Sequence, residues 1–135
     1  MKMAGKAEYP HQELTERIIG AAFIVHNELG GGFVEKVYEN ALALELRCMD
    51  YAVKQQPNAS VFYRGQSVGD FQPDLIVEEK VLIDVKAVRM LTREFETKLI
   101  HYLKATGLEV GLLINFGESV QVRRKIFSRK NYPSV

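Results

Sequence analysis

Residues 73–88 read PDLIVEEKVLIDVKAV, and the fold is decided in this stretch. Residues 74–77 and 81–88 are apolar and β-branched on both faces, and Glu78, Glu79 and Lys80 separate them. Such runs read as a hairpin in the middle of a sheet covered on both sides. A three-residue loop centred on Glu79 pairs Val77 with Val81, Ile76 with Leu82, Leu75 with Ile83, and Asp74 with Asp84.

That register brings two carboxylates together inside strands that otherwise belong to the core. Like charges opposite each other on adjacent strands are destabilising, and burying either alone costs several kcal/mol or forces protonation. Lys86 lies two residues beyond Asp84, so the period of the strand sets both on one face. A hard, oxygen-ligated divalent cation would satisfy the carboxylates, leaving Lys86 to hold a water or a phosphate oxygen. The competing reading is a plain ion pair of Lys86 with Asp84 or Asp74 at a solvated strand end. Ionisable groups that interrupt apolar strands more often have a task.

Upstream of the hairpin the periods are helical. Leu14, Ile18, Ala21, Ala22, Val25 and Leu29 recur at three- and four-residue spacing until Gly30, Gly31 and Gly32 stop the run. Residues 34–49 form a second helix with a broad stripe of Val37, Tyr38, Ala41, Leu42, Leu44 and Leu46, broken at Asp50 and Tyr51. From Val53 the character turns to β, with strands expected over 59–63 and 67–71 around the turn at Arg64, Gly65 and Gln66. After the central hairpin, Thr92 can cap a helix running to about Ala105 and stopped at Gly107; residues 110–115 read as a buried strand and 120–127 as a more exposed one. Two helices, four strands, a helix and two strands make one α/β domain spanning 1–135, with its core over about 14–127 and both ends expected to be disordered.

Composition sets the outer bounds. The chain of 135 residues is 47% hydrophobic and 26% charged, enough for one core and hardly two. Cys48 is the single cysteine and has no internal partner; its place in an apolar run predicts a small buried side chain, and a reducing, cytoplasmic setting fits. No stretch approaches the roughly 18–20 apolar residues of a membrane span, and the start carries no hydrophobic segment to serve as a signal peptide. The net charge of +1 hides an asymmetry: 8 Lys and Arg against 13 Asp and Glu in residues 1–85, and 10 against 4 in residues 86–135. The basic part, including Arg123, Arg124, Lys125, Arg129 and Lys130, either faces phosphates or is a solvated tail. There is no GxGxxG, Walker or GxSxG motif, and the glycines at 30–32 are better explained by a chain reversal between helices than by a phosphate cradle. His11 and His101 have no metal-ligand spacing to each other, so no zinc site is read.

Pro73-Asp74, then nine residues, then Asp84-Val85-Lys86 resembles the PD-(D/E)xK motif of the restriction-endonuclease-like nucleases. Gly32-Phe33-Val34-Glu35-Lys36-Val37-Tyr38 resembles the signature of one branch, the GxxExxY family, and His26 to Gly30, Asp74 to Val77 and Gly111 to Phe116 follow its other runs. The resemblance implies a restriction-endonuclease-like mixed β-sheet flanked by α-helices, with an αβββαβ core. It implies a deoxyribonuclease using Mg2+ or Mn2+, held by Asp74, Asp84, Glu35 and the Val85 backbone carbonyl, with Lys86 orienting or activating water. A non-catalytic nucleic-acid- or protein-binding module on the same fold is the alternative. Glu35 shares a helix face with Tyr38, Leu42 and Glu45, so it either points at the sheet or is a solvated helix-start carboxylate. His26 is either a further ligand or a hydrogen-bonded packing residue. Lys98, Tyr102, Arg89 and Arg93 are the candidate contacts to nucleic acid. Relatives commonly carry Gln-x-x-x-Tyr where this chain has Lys98 and Tyr102; the lysine either pairs with a phosphate or repels a cation. So short a chain offers little surface to a duplex, which makes a homodimer the expected way to address two strands.

Overall fold

A computed structural model describes residues 9–128. Arg129 and Lys130 of the basic tail, and the ends expected to be disordered, lie outside the described residues. The elements run α1 (Gln12–Leu29), α2 (Glu35–Cys48), β1 (Val53–Gln55), β2 (Ala59–Tyr63), β3 (Gln66–Phe71), β4 (Leu75–Val77), β5 (Val81–Lys86), α3 (Arg93–Thr106), β6 (Val110–Phe116) and β7 (Val120–Ile126). No helix among them is long and apolar enough to cross a membrane.

Five strands form one mixed sheet in the order β1-β4-β5-β6-β7, antiparallel except for the β5–β6 pair. The central hairpin has three of the four pairs read from the sequence, Leu75 opposite Ile83, Ile76 opposite Leu82 and Val77 opposite Val81, while Asp74 precedes β4 and stands outside the ladder. Its turn places Glu78 and Glu79 both at φ 55°, with Lys80 N–H donating to the Val77 carbonyl at 3.0 Å. Two left-handed non-glycine residues are uncommon, and Glu78 is held there from outside. Its carboxylate accepts from Ala52 N–H at 2.6 Å and its own N–H donates to the Ala52 carbonyl at 2.8 Å, which ties the turn to the start of β1.

Alternation along the strands divides the interior in two. Val81, Ile83, Val85, Leu112 and Ile114 join the cluster packed by α1 and α2, whereas Leu82 and Leu113 face Leu99 and Leu103 of α3. Helix α3 is the crossover that parallel pairing of β5 with β6 requires. Gly111 has no room for a side chain, since a Cβ there would lie 2.9 Å from Leu99 Cδ1.

Several expectations are corrected. Val53–Gln55 forms a strand of its own, and with it α2, β1, β4, β5, α3 and β6 supply the αβββαβ series. The β2–β3 hairpin does not extend the main sheet; it is a separate two-stranded sheet inserted between β1 and β4, with Phe71 packed edge-on against Tyr102 of α3 at 5.6 Å. Strand β5 ends at Lys86, and beyond it the buried Asn115 side chain takes over as a strand would, accepting from Val88 N–H at 2.9 Å and donating to its carbonyl at 2.8 Å. Thr92 occupies the position before α3 but makes no side-chain cap. Leu44 and Cys48 are exposed, because they lie four apart on the outer face of α2 while Tyr38, Leu42 and Leu46 occupy the inner one.

Candidate metal centre

Three pieces of backbone bring the polar groups together: the end of β5, the residue preceding β4, and the inner face of α2. Asp84 is 3% exposed on β5. Its Oδ1 lies 3.3 Å from Lys86 Nζ, and its Oδ2 is buried without a hydrogen-bond partner. Such an orphaned carboxylate oxygen is costly unless a proton or a cation meets it. Asp74, at the mouth of β4, is partly buried; its Oδ2 accepts from Val85 N–H at 2.7 Å and its Oδ1 from Gln56 Nε2 at 3.1 Å. Burial first, and the neighbouring Asp84 and Glu39 carboxylates next, push the Asp74 carboxyl up to about 7 against the Val85 N–H that favours its anion.

Lys86 reaches three partners. Besides Asp84 it lies 3.9 Å from Glu35 Oε1 and 5.2 Å from the centre of the Phe95 ring. Burial works to lower its pKa, but Asp84 and Glu35 outweigh that and the ammonium is held above the usual lysine value. Glu35, the first residue of α2, is turned toward Lys86 with its side chain 45% exposed.

Two residues of the cluster escaped the sequence reading. Glu39, one turn after Glu35 and 2% exposed, accepts from Gln55 Nε2 at 2.8 Å, Gln56 Nε2 at 3.1 Å and Lys36 Nζ at 3.0 Å. Burial opposes its charge, but the glutamine and lysine donors prevail and hold it below the usual carboxylate range. Gln56, at φ 54°, bridges Glu39 to Asp74, and its own N–H donates to the Asp74 carbonyl at 2.8 Å. The available signal was the spacing: Glu39 follows Glu35 by four residues on a helix whose buried positions include Tyr38 and Leu42.

The other candidates are placed elsewhere. His26 Nε2 is 2.9 Å from the Gly117 carbonyl and its ring is stacked near Phe116, so that nitrogen joins α1 to the β6–β7 turn. Tyr102 is 7% exposed and packs against Phe71, which leaves its ring little surface for nucleic acid. Lys98 is exposed, 5.7 Å above that ring. Arg89 and Arg93 are exposed beyond the end of β5 and at the start of α3. The basic strand β7 is engaged within the protein: Lys125 and Arg123 approach Glu96 at 2.5 and 3.9 Å, and Arg124 lies 4.0 Å over the Tyr9 ring.

Among the described residues, no group of three or more His, Cys, Asp or Glu side chains is gathered as a metal cage. Asp74 is engaged by Val85 N–H and Gln56, and Glu35 faces Lys86. The pair of hard carboxylates with an unpartnered buried oxygen nevertheless fits a divalent cation.

A family model described as the PD-(D/E)XK nuclease superfamily matches residues 12–126. The chain belongs to the PD-(D/E)XK nuclease superfamily. Members of this superfamily generally use divalent metals, and membership supports a nuclease. The fold is similar to that in the crystal structure of SSO0001, with a TM-score of 0.56 and 14% identity over 90% of this chain. This superfamily member spans 62% of the length of SSO0001. It is also similar to an alkaline exonuclease, LHK-Exo, from Laribacter hongkongensis, with a TM-score of 0.52 and 10% identity over 93% of this chain and 74% of that one. At these identities the likeness is one of fold. No curated protein matches the chain.

Proposed function

We propose that the chain is a metal-dependent nuclease of the GxxExxY branch that hydrolyses phosphodiester bonds of DNA, acting as one cytoplasmic domain with Mg2+ or Mn2+. The observation that carries the reading is the buried Asp84 carboxylate beside Asp74, whose Oδ2 has no partner while its Oδ1 lies 3.3 Å from Lys86 Nζ. Asp74, Asp84, Glu35 and the Val85 carbonyl would hold the cation. When bound, it supplies a polarised phosphoryl oxygen and a water of lowered pKa. Lys86, kept as an ammonium by Asp84 and Glu35, donates a hydrogen bond and does not accept a proton. It therefore orients a water or a phosphate oxygen, and Phe95 beneath it restricts where its head can lie. Gln56 and Val85 N–H fix the Asp74 carboxylate so that its position does not depend on the ligand.

A non-catalytic nucleic-acid- or protein-binding module is the second reading, favoured by the exposed Lys98 and by the turn of Glu35 toward Lys86. The small size of the domain favours a homodimer when two strands are cut. The test is cleavage of mixed single- and double-stranded DNA with Mn2+ or Mg2+, wild type against Lys86→Ala. Cleavage by the wild type that falls at least about 100-fold in the variant agrees with the nuclease reading. A wild type with no cleavage and no metal-induced rise in melting temperature supports the binding module.

A further inference from the structure

A cleft of about 490 Å³ opens where the β5 and β6 chains leave the sheet, floored by Ala87 and Val88 immediately after Lys86 and walled by Phe33 just before Glu35. β5 and β6 are the one parallel pair among the described strands, and the crevice beyond the carboxyl ends of such strands is where open sheets receive ligands. The volume lies in the range that takes a nucleotide-sized molecule.

Its walls are fixed before any ligand arrives. Gly31 lies against the β6–β7 turn so closely that a Cβ would be 3.0 Å from the Gly117 carbonyl oxygen, and His26 bonds that same carbonyl. The glycine run is thus required by contact as well as by chain reversal, with Gly32 at φ 106°. Phe33 is held by its N–H to Tyr38 Oη at 3.2 Å and by an edge-on ring contact with Tyr38 at 6.1 Å. Tyr38 in turn donates to the Gly30 carbonyl and stacks on Phe116 at 4.7 Å. A large aromatic side chain fixed this firmly and still 49% exposed is a ready stacking surface. Apart from the exposed Met90, the remaining wall carries the polar side chains of Arg89, Glu118, Ser119 and Gln121. Gln121 Oε1 accepts from Asn115 Nδ2 at 3.3 Å, which settles which end of that amide is left to donate.

We propose that this cleft is a nucleotide subsite: Phe33 stacks on a base of the strand being cut, Arg89 meets a backbone phosphate at the rim, and Ser119, Gln121 and Glu118 bond the base edge. The inference rests on the nuclease reading above and assigns the neighbour of the scissile phosphate to this side of Lys86. Stacking on an aromatic side chain tolerates any base, whereas the Glu118 carboxylate in the wall accepts hydrogen bonds only and so meets the N–H donors of a base edge.

The chain contains no tryptophan, so Phe33→Trp creates a single fluorescent reporter at the cleft, and Phe62→Trp places a control at an exposed position on the β2–β3 hairpin. Each variant is titrated with a 12-nucleotide single-stranded DNA in Ca2+, and total binding is followed separately by anisotropy of a labelled copy. Expected is saturable quenching at Trp in place of Phe33 and none at the control, with Phe33→Ala weakening binding about tenfold. Arg89→Ala is expected to weaken binding and flatten its salt dependence. DNA binding by anisotropy without quenching at position 33 overturns the subsite and leaves the nuclease reading intact. Absence of both binding and cleavage overturns the two together, and quenching at the control alone moves the strand contact to the hairpin.

Discussion

Replacing Asp84 by asparagine should make the metal-free protein more stable at pH 8 and no more stable at pH 5. In the fold the Asp74 carboxyl titrates at about 7, with its burial as the leading cause and Asp84 the next that raises it. A carboxyl moved from 3.8 to about 7 is disfavoured as an anion by ~4 kcal/mol at most. Asp74 is partly open to solvent, and screening reduces that figure to ~2 kcal/mol. The substitution leaves burial untouched, so its share is ~1–1.5 kcal/mol, from which ~0.5 kcal/mol is lost with the weaker partner for Lys86. Asparagine keeps an oxygen for Lys86 Nζ and sets an amide donor where Asp84 Oδ2 has no partner. The net gain of up to ~1 kcal/mol corresponds to ~4 °C in melting temperature for a domain of this size. At pH 5 Asp74 is protonated and can itself donate to Asp84, so the variant gains nothing there or falls slightly. Thermal melts in EDTA at the two pH values test this. An unchanged or lower melting temperature at pH 8, or an equal gain at both pH values, would refute the electrostatic account.

The wild type without metal should itself lose stability as pH rises. Asp74 holds its proton up to about 7 when folded but releases it near 3.8 when unfolded, so this contribution is complete below about pH 4 and gone once pH passes through 7. Urea melts at pH 5, 6, 7 and 8 should show the decline, and Asp74→Asn should flatten it; a variant with the wild-type slope points to another group. Glu39→Ala removes a buried acceptor from Gln55, Gln56 and Lys36 and frees the residue that steadies Asp74, with an expected loss of ~2 kcal/mol, or ~8 °C. A melt within 2 °C of wild type, on the ~4 °C per kcal/mol scale, contradicts that role.

The hairpin over β4 and β5 was legible because a covered sheet forces apolar side chains on both faces, which makes any ionisable residue conspicuous. The same argument explains why Asp74, Asp84 and Lys86 stood out and Glu39 did not: α2 carries three acids in its fourteen residues, Glu35, Glu39 and Glu45, and only packing against Gln55 and Gln56 distinguishes the buried one. Val53–Gln55 carries two polar residues in three and becomes a strand only because β4 offers it an edge, with Glu78 fastening the turn beneath. The β2–β3 hairpin announced its strands but not its independence, since local alternation says nothing about which sheet a strand joins. Cys48 was misread for a related reason: an apolar neighbourhood in sequence spans both faces of a helix, and one of them is wet.

The chain leaves the main sheet at Gln56 and re-enters it at Asp74, and those two residues are already joined backbone to backbone at 2.8 Å. Everything between them is an excursion closed at its base. Lengthening such an excursion costs little, because closure entropy grows only with the logarithm of its length. Descendants of this chain are therefore at liberty to exchange the arm for one of another size or chemistry, provided the new one covers Tyr102, while the acid pair at its foot keeps its place.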